Sequence, residues 1–236
     1  RPGKTFVFPH LFAEVMKAYM DEWGVPEEDL TAIAVAEYEN ARQNPYAQMQ
    51  KNEVTLETAM KIEGINRYVV EGLPLKTYDA SQISDGYAGM VLATEEGLAR
   101  LGVAKADCVR LAGWGQATDP LKKEGRDVLR PKAALAAMGA AYRRAGLAPT
   151  DVNVAEVHDC FSVMGAIGAE VIGKAEFGKG ARYWRDGKAR VDGECGINTS
   201  GGLIAKGHPI GATGIAMVGW CAWQLLGKVP KALQVP

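Results

Sequence analysis

The chain has 236 residues, 47% of them hydrophobic and 23% charged, which is the balance of a globular protein with a substantial core. A net charge of −1 argues against a surface for nucleic acid or anionic membranes, and the apolar runs are too short to cross a bilayer. The first residues, Arg1-Pro2-Gly3-Lys4, have the features of neither a signal peptide nor a transit peptide.

The N-terminal part is predicted to contain two helices. Apolar residues at helical spacing over 12–23 end at Gly24, and Pro26, followed by three acidic residues, opens a second helix that runs towards Tyr38. Residues 40–50 are polar and contain an Asn-Pro pair, so we expect a loop there.

The rest of the chain alternates predicted strands and helices, which is typical of layered α/β proteins. Strands are predicted at 87–93, 109–115 and 152–157, helices at 95–101, 132–145, 161–172 and 211–226, and a glycine-rich loop at 178–196. The alanine-rich face of the helix at 132–145 predicts close packing against a neighbour.

Four cysteines are widely spaced and form no CxxC pair: Cys108, Cys160, Cys195 and Cys221. A chain of this size needs no disulfide framework, so we expect free thiols in a reducing compartment. For Cys108 and Cys221, which lie in apolar stretches, a buried apolar role is the simplest interpretation.

A glycine-rich segment from Asn198 to Gly214 surrounds a single histidine, His208. Its five glycines permit tight turns, and Pro209 biases the histidine towards extended backbone. A helix beginning near Gly211 would keep the imidazole neutral, as a hydrogen-bond donor to a developing oxyanion. Two alternatives remain open: a solvated histidine in a turn, and a phosphate loop, although neither standard glycine motif fits.

A second segment, residues 157–161, lies where a predicted strand meets a predicted helix, and ligands favour such positions in α/β sheets. Cys160 would lie near a helix N-terminus, which favours its thiolate, and His158 is a second candidate donor. A buried thiol beside a hydrogen-bonded histidine would explain the same residues. Zinc bound by His158, Cys160, Cys195 and His208 is a further alternative, although the spacing matches no standard zinc pattern.

Together these segments resemble the thiolase superfamily. Residues 207–214 (Gly-His-Pro-Ile-Gly-Ala-Thr-Gly) resemble its GHP loop, and His158-Asp159-Cys160-Phe161 resembles the variant found in sterol-carrier-protein-type thiolases. Ser84-Asp85-Gly86 resembles the family's Ser-Asp-Gly segment, and residues 40–48 resemble its loop region. The resemblance extends over essentially the whole chain, with the two site motifs in the family's order.

The resemblance implies a mechanism in which a nucleophilic cysteine takes an acyl group from a coenzyme A thioester while a second thiol moves the α-carbon proton. His208 would be the GHP histidine that stabilises the enolate, Cys160 the acid/base thiol, and His158 a donor that reaches the thioester oxygen. The implied substrate-binding residues are Asn198, Ser200, Gly201 and Gly207. Acyl-CoA and coenzyme A would be substrates, with no cofactor and no metal.

The resemblance also implies a layered α/β/α/β/α fold. Residues 1–105 would be the end of the loop domain and the last elements of the N-terminal domain, and residues 106–236 an incomplete C-terminal domain. The nucleophilic cysteine and a final glycine-rich loop are expected outside this sequence, the former in an N-terminal half that could be a separate chain. The family suggests a homodimer or homotetramer in lipid metabolism, in the cytoplasm or a peroxisomal or mitochondrial matrix.

Three functions compete on this basis. The leading one is thiolytic cleavage of a 3-oxoacyl-CoA or the reverse Claisen condensation. A related aldolase acting on a hydroxyacyl-CoA is the second, but such relatives tend to lose the thiols and the GHP histidine, which this chain keeps. The third is an acyl-CoA-binding subunit without turnover.

Overall fold

The computed structural model describes residues 7–120 and 125–236. Its α-helices are α1 (Val7–Trp23), α2 (Glu27–Gln43), α3 (Leu56–Met60), α4 (Glu95–Leu101), α5 (Lys132–Ala145), α6 (Ser162–Val171), α7 (Gly180–Arg185) and α8 (Ile210–Leu225). Two short strands, β1 (Val154–Ala155) and β2 (Gly196–Ile197), pair in parallel, and a π-helix occupies Gly202–Lys206.

The first two helices form as predicted, with different limits. Gly24 adopts a left-handed φ of 64° after α1, and Pro26 is the N-cap of α2. The prediction that the chain leaves the helix near residue 40 is wrong, because α2 continues to Gln43. It ends at Asn44, the residue before a proline, where helical backbone is disfavoured.

Helix α6 lies in the core and packs against α1, α2, α5 and α7. Seven of its ten residues are buried. The predicted loop at 178–196 is wrong in part, because α7 lies within it. Tyr183 and Trp184 of α7 are buried, and the Trp184 indole donates to the Gly165 carbonyl at 3.2 Å. Tertiary contacts therefore stabilise α7, which is too short to show a helical period of apolar residues in its sequence.

Two predicted strands do not form. Residues 87–93 and 109–115 have no strand pairing, and Tyr87 and Val91 are 99% and 83% exposed. An extended segment becomes a strand only when a neighbouring strand satisfies its backbone groups, and neither segment pairs with a strand among the described residues. The strand predicted at 152–157 reduces to the two residues of β1.

The alanine-rich face of α5 makes the close contact that was predicted. Residues 109–115 lie against it, and a Cβ atom at Gly115 would lie 1.8 Å from the Ala137 carbonyl oxygen. The boundary predicted between residues 105 and 106 stays a prediction. Among the described residues, no helix is both long and apolar enough to span a membrane.

Candidate active site

The histidine of the glycine-rich segment lies between two helices. The π-helix ends at Gly207, whose φ is 118°, and α8 begins two residues after His208, with Pro209 as its N-cap. The short strand β2 and the left-handed turn at Gly201, where φ is 100°, precede the π-helix. The predicted turn that presents His208 ahead of a helix is therefore confirmed.

Two hydroxyl groups fix His208. Its backbone N–H donates to the Ser84 hydroxyl at 2.8 Å, and its Nδ1 lies 2.8 Å from the Thr213 hydroxyl oxygen. Thr213 uses its own proton on the Pro209 carbonyl, at 3.0 Å. We therefore assign the hydrogen to Nδ1, which leaves Nε2 as the nitrogen for chemistry.

Residues 80–84 connect the two predicted motifs. Ala80 bridges Phe161, and Ile83 bridges His208. The Ser81 N–H also donates to the Cys160 carbonyl at 2.9 Å. This extended segment therefore runs alongside both the HDCF and the GHP segments and sets their spacing.

The two site histidines lie together. The rings of His158 and His208 have centroids 5.0 Å apart and are nearly perpendicular, at 84°. Burial lowers the pKa of both, and the neighbouring His158 lowers the pKa of His208 further, whereas Asp159 opposes the shift in each. The prediction of a neutral His208 agrees with this direction. Because its Nδ1 hydrogen is directed to Thr213, Nε2 of the neutral ring is an acceptor and becomes a donor only after it gains a proton.

The predicted thiolate character of Cys160 is wrong. Its side chain is only 8% exposed, and burial, followed by the charge of Asp159, raises the pKa of the thiol to about 12. The helix begins two residues later, at Ser162, and a helix terminus contributes at most ~2 kcal/mol. Raising the thiol pKa from 9.0 to about 12 corresponds to roughly 4 kcal/mol, so desolvation dominates.

Asp159, between the two motif residues, holds the π-helix. Its carboxylate is fully buried and accepts the Leu203 N–H with both oxygens, each at 2.9 Å, and the Ile204 N–H at 3.2 Å. These hydrogen bonds connect residues 158–161, the HDCF segment, directly to the π-helix that leads to His208. Sequence reasoning did not assign a role to Asp159.

The four residues predicted to bind substrate lie at the two ends of the π-helix, with Gly207 after it and the other three before it. Asn198 and Ser200 are fully buried, and their side chains bind within the protein. The Asn198 amide accepts the Val157 N–H at 2.7 Å, and the Ser200 hydroxyl donates to Glu156 at 2.5 Å. Gly201 and Gly207 supply the left-handed backbone of the turn. The observed contacts position the site, and direct contact with substrate stays a prediction.

Cys195, one of the zinc ligands considered above, is a buried thiol. Burial raises the pKa of its thiol to about 11, and the side chain is fully buried. Among residues 7–120 and 125–236, no group of three or more His, Cys, Asp or Glu side chains is arranged to hold a metal ion.

Comparison with known proteins decides the family. Residues 115–236, slightly more than half of the chain, match the family described as "Thiolase C-terminal domain-like". This chain belongs to that thiolase family. The resemblance drawn from the two motifs is thus confirmed.

Named relatives extend this match to the N-terminal residues. The chain is 39% identical over 224 residues to an acetyl-CoA acetyltransferase of Methanothermobacter thermautotrophicus, covering 95% of this chain and 56% of that protein. It is 33% identical over 234 residues to sterol carrier protein 2 of Oryctolagus cuniculus, covering 98% of this chain and 41% of that protein. The chain thus spans about half the length of the curated relatives it matches.

A solved structure shares the fold of this thiolase-family chain. The "Ltp2-ChsH2(DUF35) aldolase" superposes with a TM-score of 0.77 at 22% identity, covering 95% of this chain and 56% of that chain. The expectation of a thiolase-like α/β fold is therefore confirmed, with a small parallel sheet in this chain.

Proposed function

We propose that this chain supplies the C-terminal part of a thiolase-type acyl-CoA acyltransferase active site. The enzyme would cleave a 3-oxoacyl-CoA with coenzyme A or run the reverse condensation. The observation that carries the proposal is the perpendicular pair of His158 and His208, both with lowered pKa. The buried thiol of Cys160 follows His158 by two residues in the same segment. The similarity to an acetyl-CoA acetyltransferase supports it.

The proposed cleavage assigns a role to each group. A cysteine from the rest of the catalytic assembly attacks the 3-keto carbon, and the bond between C2 and C3 breaks. The electron pair becomes the enolate of acetyl-CoA, whose oxygen is stabilised by His158 and His208. Cys160, which burial keeps as a thiol, protonates the α-carbon and is reprotonated by incoming coenzyme A. The resulting coenzyme A thiolate then removes the acyl group from the nucleophilic cysteine.

The two imidazoles have different parts in this scheme. His208, with its hydrogen assigned to Nδ1, has a lone pair on Nε2 that can take the proton of the attacking cysteine. Once protonated, the same nitrogen is a donor to the enolate oxygen. It returns the proton to the cysteine thiolate when coenzyme A has removed the acyl group. Removing one oxyanion donor typically costs about 10²–10³ in turnover, so each histidine is worth roughly 3–4 kcal/mol.

We also propose that another polypeptide segment covers the face beside His208. Residues 84–88 and 209–212 line one open depression there, and Ile83 and Ile210 are 99% and 84% exposed. Large apolar side chains that are this exposed and lie near one another are typical of an interface. The greater length of the relatives supports an N-terminal half, on the same or a separate chain, as its occupant. A homodimer or homotetramer is a further part of this proposal.

The aldolase alternative is less well supported. The similarity to a structure titled an aldolase is at 22% identity and concerns the fold. This chain keeps both the thiol of Cys160 and the imidazole of His208, which the related aldolases tend to lose. Retro-aldol cleavage of a hydroxyacyl-CoA that survives thiol alkylation would favour that alternative.

The test is the His208→Ala variant of the complete catalytic assembly that contains this chain. We expect turnover of acetoacetyl-CoA with coenzyme A to fall by about 10²–10³-fold, with the His10→Gln variant as the matched control. His10 pairs with Glu14 on α1. Full activity of the His208→Ala variant would contradict the proposal. Tight coenzyme A binding by a wild-type assembly that does not turn over would favour the binding subunit instead.

A further inference from the structure

A carboxyl group on α2 lies buried directly behind the site. Glu37 is fully buried, in a helix whose other buried residues are mostly apolar. Its Oε1 accepts the Asn198 amide N–H at 2.9 Å. Asn198 in turn accepts the Val157 N–H, at the start of the segment that carries His158 and Cys160.

The same carboxyl group faces Asp159. The two carboxyl groups are close enough to interact, and both lie against Gly202. A Cβ atom at Gly202 would lie 2.4 Å from Glu37 Cδ and 2.5 Å from Asp159 Oδ2. A hydrogen bond between two carboxyl groups requires a proton on one of them.

The proton belongs on Glu37. Both oxygens of Asp159 already accept backbone N–H groups of the π-helix. In contrast, Glu37 Oε2 is buried, and no described residue donates a hydrogen bond to it. An orphan oxygen of this kind is satisfied when it carries the hydrogen and donates it to Asp159. Burial, and then Asp159, raises the pKa of Glu37 well above its usual range, in agreement with this assignment.

We propose that Glu37 is a positioning residue for the reaction proposed above, joining Asp159 and Asn198 through one hydrogen bond each. Asp159 clamps the π-helix that leads to His208, and Asn198 clamps the turn before His158. Glu37 therefore ties both catalytic segments to α2 and fixes the distance between them. An error of about 1 Å in such a distance can cost about 100-fold in rate.

The test compares Glu37→Gln with Glu37→Met in the complete catalytic assembly. Gln keeps one acceptor for Asn198 and one donor for Asp159, whereas Met has a similar volume and keeps neither. We expect Glu37→Gln to retain kcat within about threefold and Glu37→Met to lower it about 100-fold with KM nearly unchanged. The matched control is Glu39→Met on the same helix, where the side chain is exposed and pairs with Arg190.

Equal kcat for the Met variant and the wild type, or an equal loss in both variants, would overturn the proposal. If the wild-type assembly shows no turnover, the proposed function fails, and thermal unfolding then tests Glu37 separately. The groups facing it are Asp159, Glu156 and the neighbouring Tyr38. Because a neutral amide matches a protonated acid, the Tm of Glu37→Gln should equal or exceed that of the wild type at about pH 8. A lower Tm there would mean that Glu37 is ionised and would overturn the proposal.

Discussion

Cys160 shows how burial sets the chemistry of a single side chain. The thiol lies beside the Asp159 carboxylate in an apolar setting, and its pKa is raised to about 12. In this state it is a proton donor and not a nucleophile, which suits the acid role in the proposed reaction. The reverse condensation would need the same thiol to act as a base, and a base is most efficient when its pKa lies near the working pH.

We predict that Cys160 resists alkylation in the folded chain. Iodoacetamide reacts with thiolates, so at about pH 8 Cys160 should react at least about 100-fold more slowly than Cys108, which is partly exposed. Cys221 tests whether the thiol pKa or the exposure of the residue controls the rate. The residue is partly exposed, but desolvation raises the pKa of its thiol to about 12, so we expect it to react slowly as well. Site-resolved mass spectrometry measures the three rates. Equal rates for Cys160 and Cys108 would contradict the raised pKa.

The site residues differ in how visible they were in the sequence. His158, Cys160 and His208 belong to short motifs, and a motif can be found without the fold. Glu37 and Asp159 are brought together by tertiary structure across more than a hundred residues, so no local pattern links them. One signal was available: Glu37 is a charged residue within the apolar run of α2, and such a residue usually has a buried partner.

At the scale of elements, local signals predicted helices better than strands. α4 and α5 have the predicted bounds because their caps and their terminating glycines, Gly102 and Gly146, are local. The strands expected at 87–93 and 109–115 failed because pairing depends on a neighbour, which sequence alternation does not supply. The π-helix was not predicted, since its clamp by Asp159 comes from elsewhere in the chain.

The π-helix also provides a test at this scale through Gly202. A Cβ atom there would meet the Glu37 and Asp159 carboxyl groups at 2.4–2.6 Å, and φ is 59°. Gly64 has the same φ of 59° with nothing within 4 Å, so it isolates the backbone contribution. We expect Gly64→Ala to cost about 1 kcal/mol of unfolding free energy and Gly202→Ala on the order of 2–3 kcal/mol more. Urea unfolding of both variants measures the difference. Equal losses of unfolding free energy would show that the Glu37 and Asp159 side chains move aside for the methyl group at no cost.

At the scale of the whole molecule, several acids are buried with raised pKa values. Burial is the largest cause of the raised pKa for Glu37, Asp79, Glu156 and Glu170. Between its unfolded and folded pKa values, each such acid binds more protons in the folded state than in the unfolded chain. The stability of the folded state therefore falls as pH rises through the interval between the unfolded and folded pKa values. This is the reverse of ordinary acid denaturation.

Glu156 makes this behaviour measurable, because its pKa rises from 4.5 to about 7. Burial raises it, while Lys206 and the Ser200 hydrogen bonds lower it. The stabilising contribution of protonated Glu156 is fully present below about pH 4.5 and is lost as pH rises to about 7, by on the order of 1–3 kcal/mol for a partly buried group. In urea unfolding across this range, Glu156→Gln should flatten the decline, and Glu53→Gln, whose parent side chain is 70% exposed, should leave it unchanged. A wild-type slope equal to that of Glu156→Gln would mean that Glu156 titrates alike in both states, and that its bonds to Ser200 offset its burial completely.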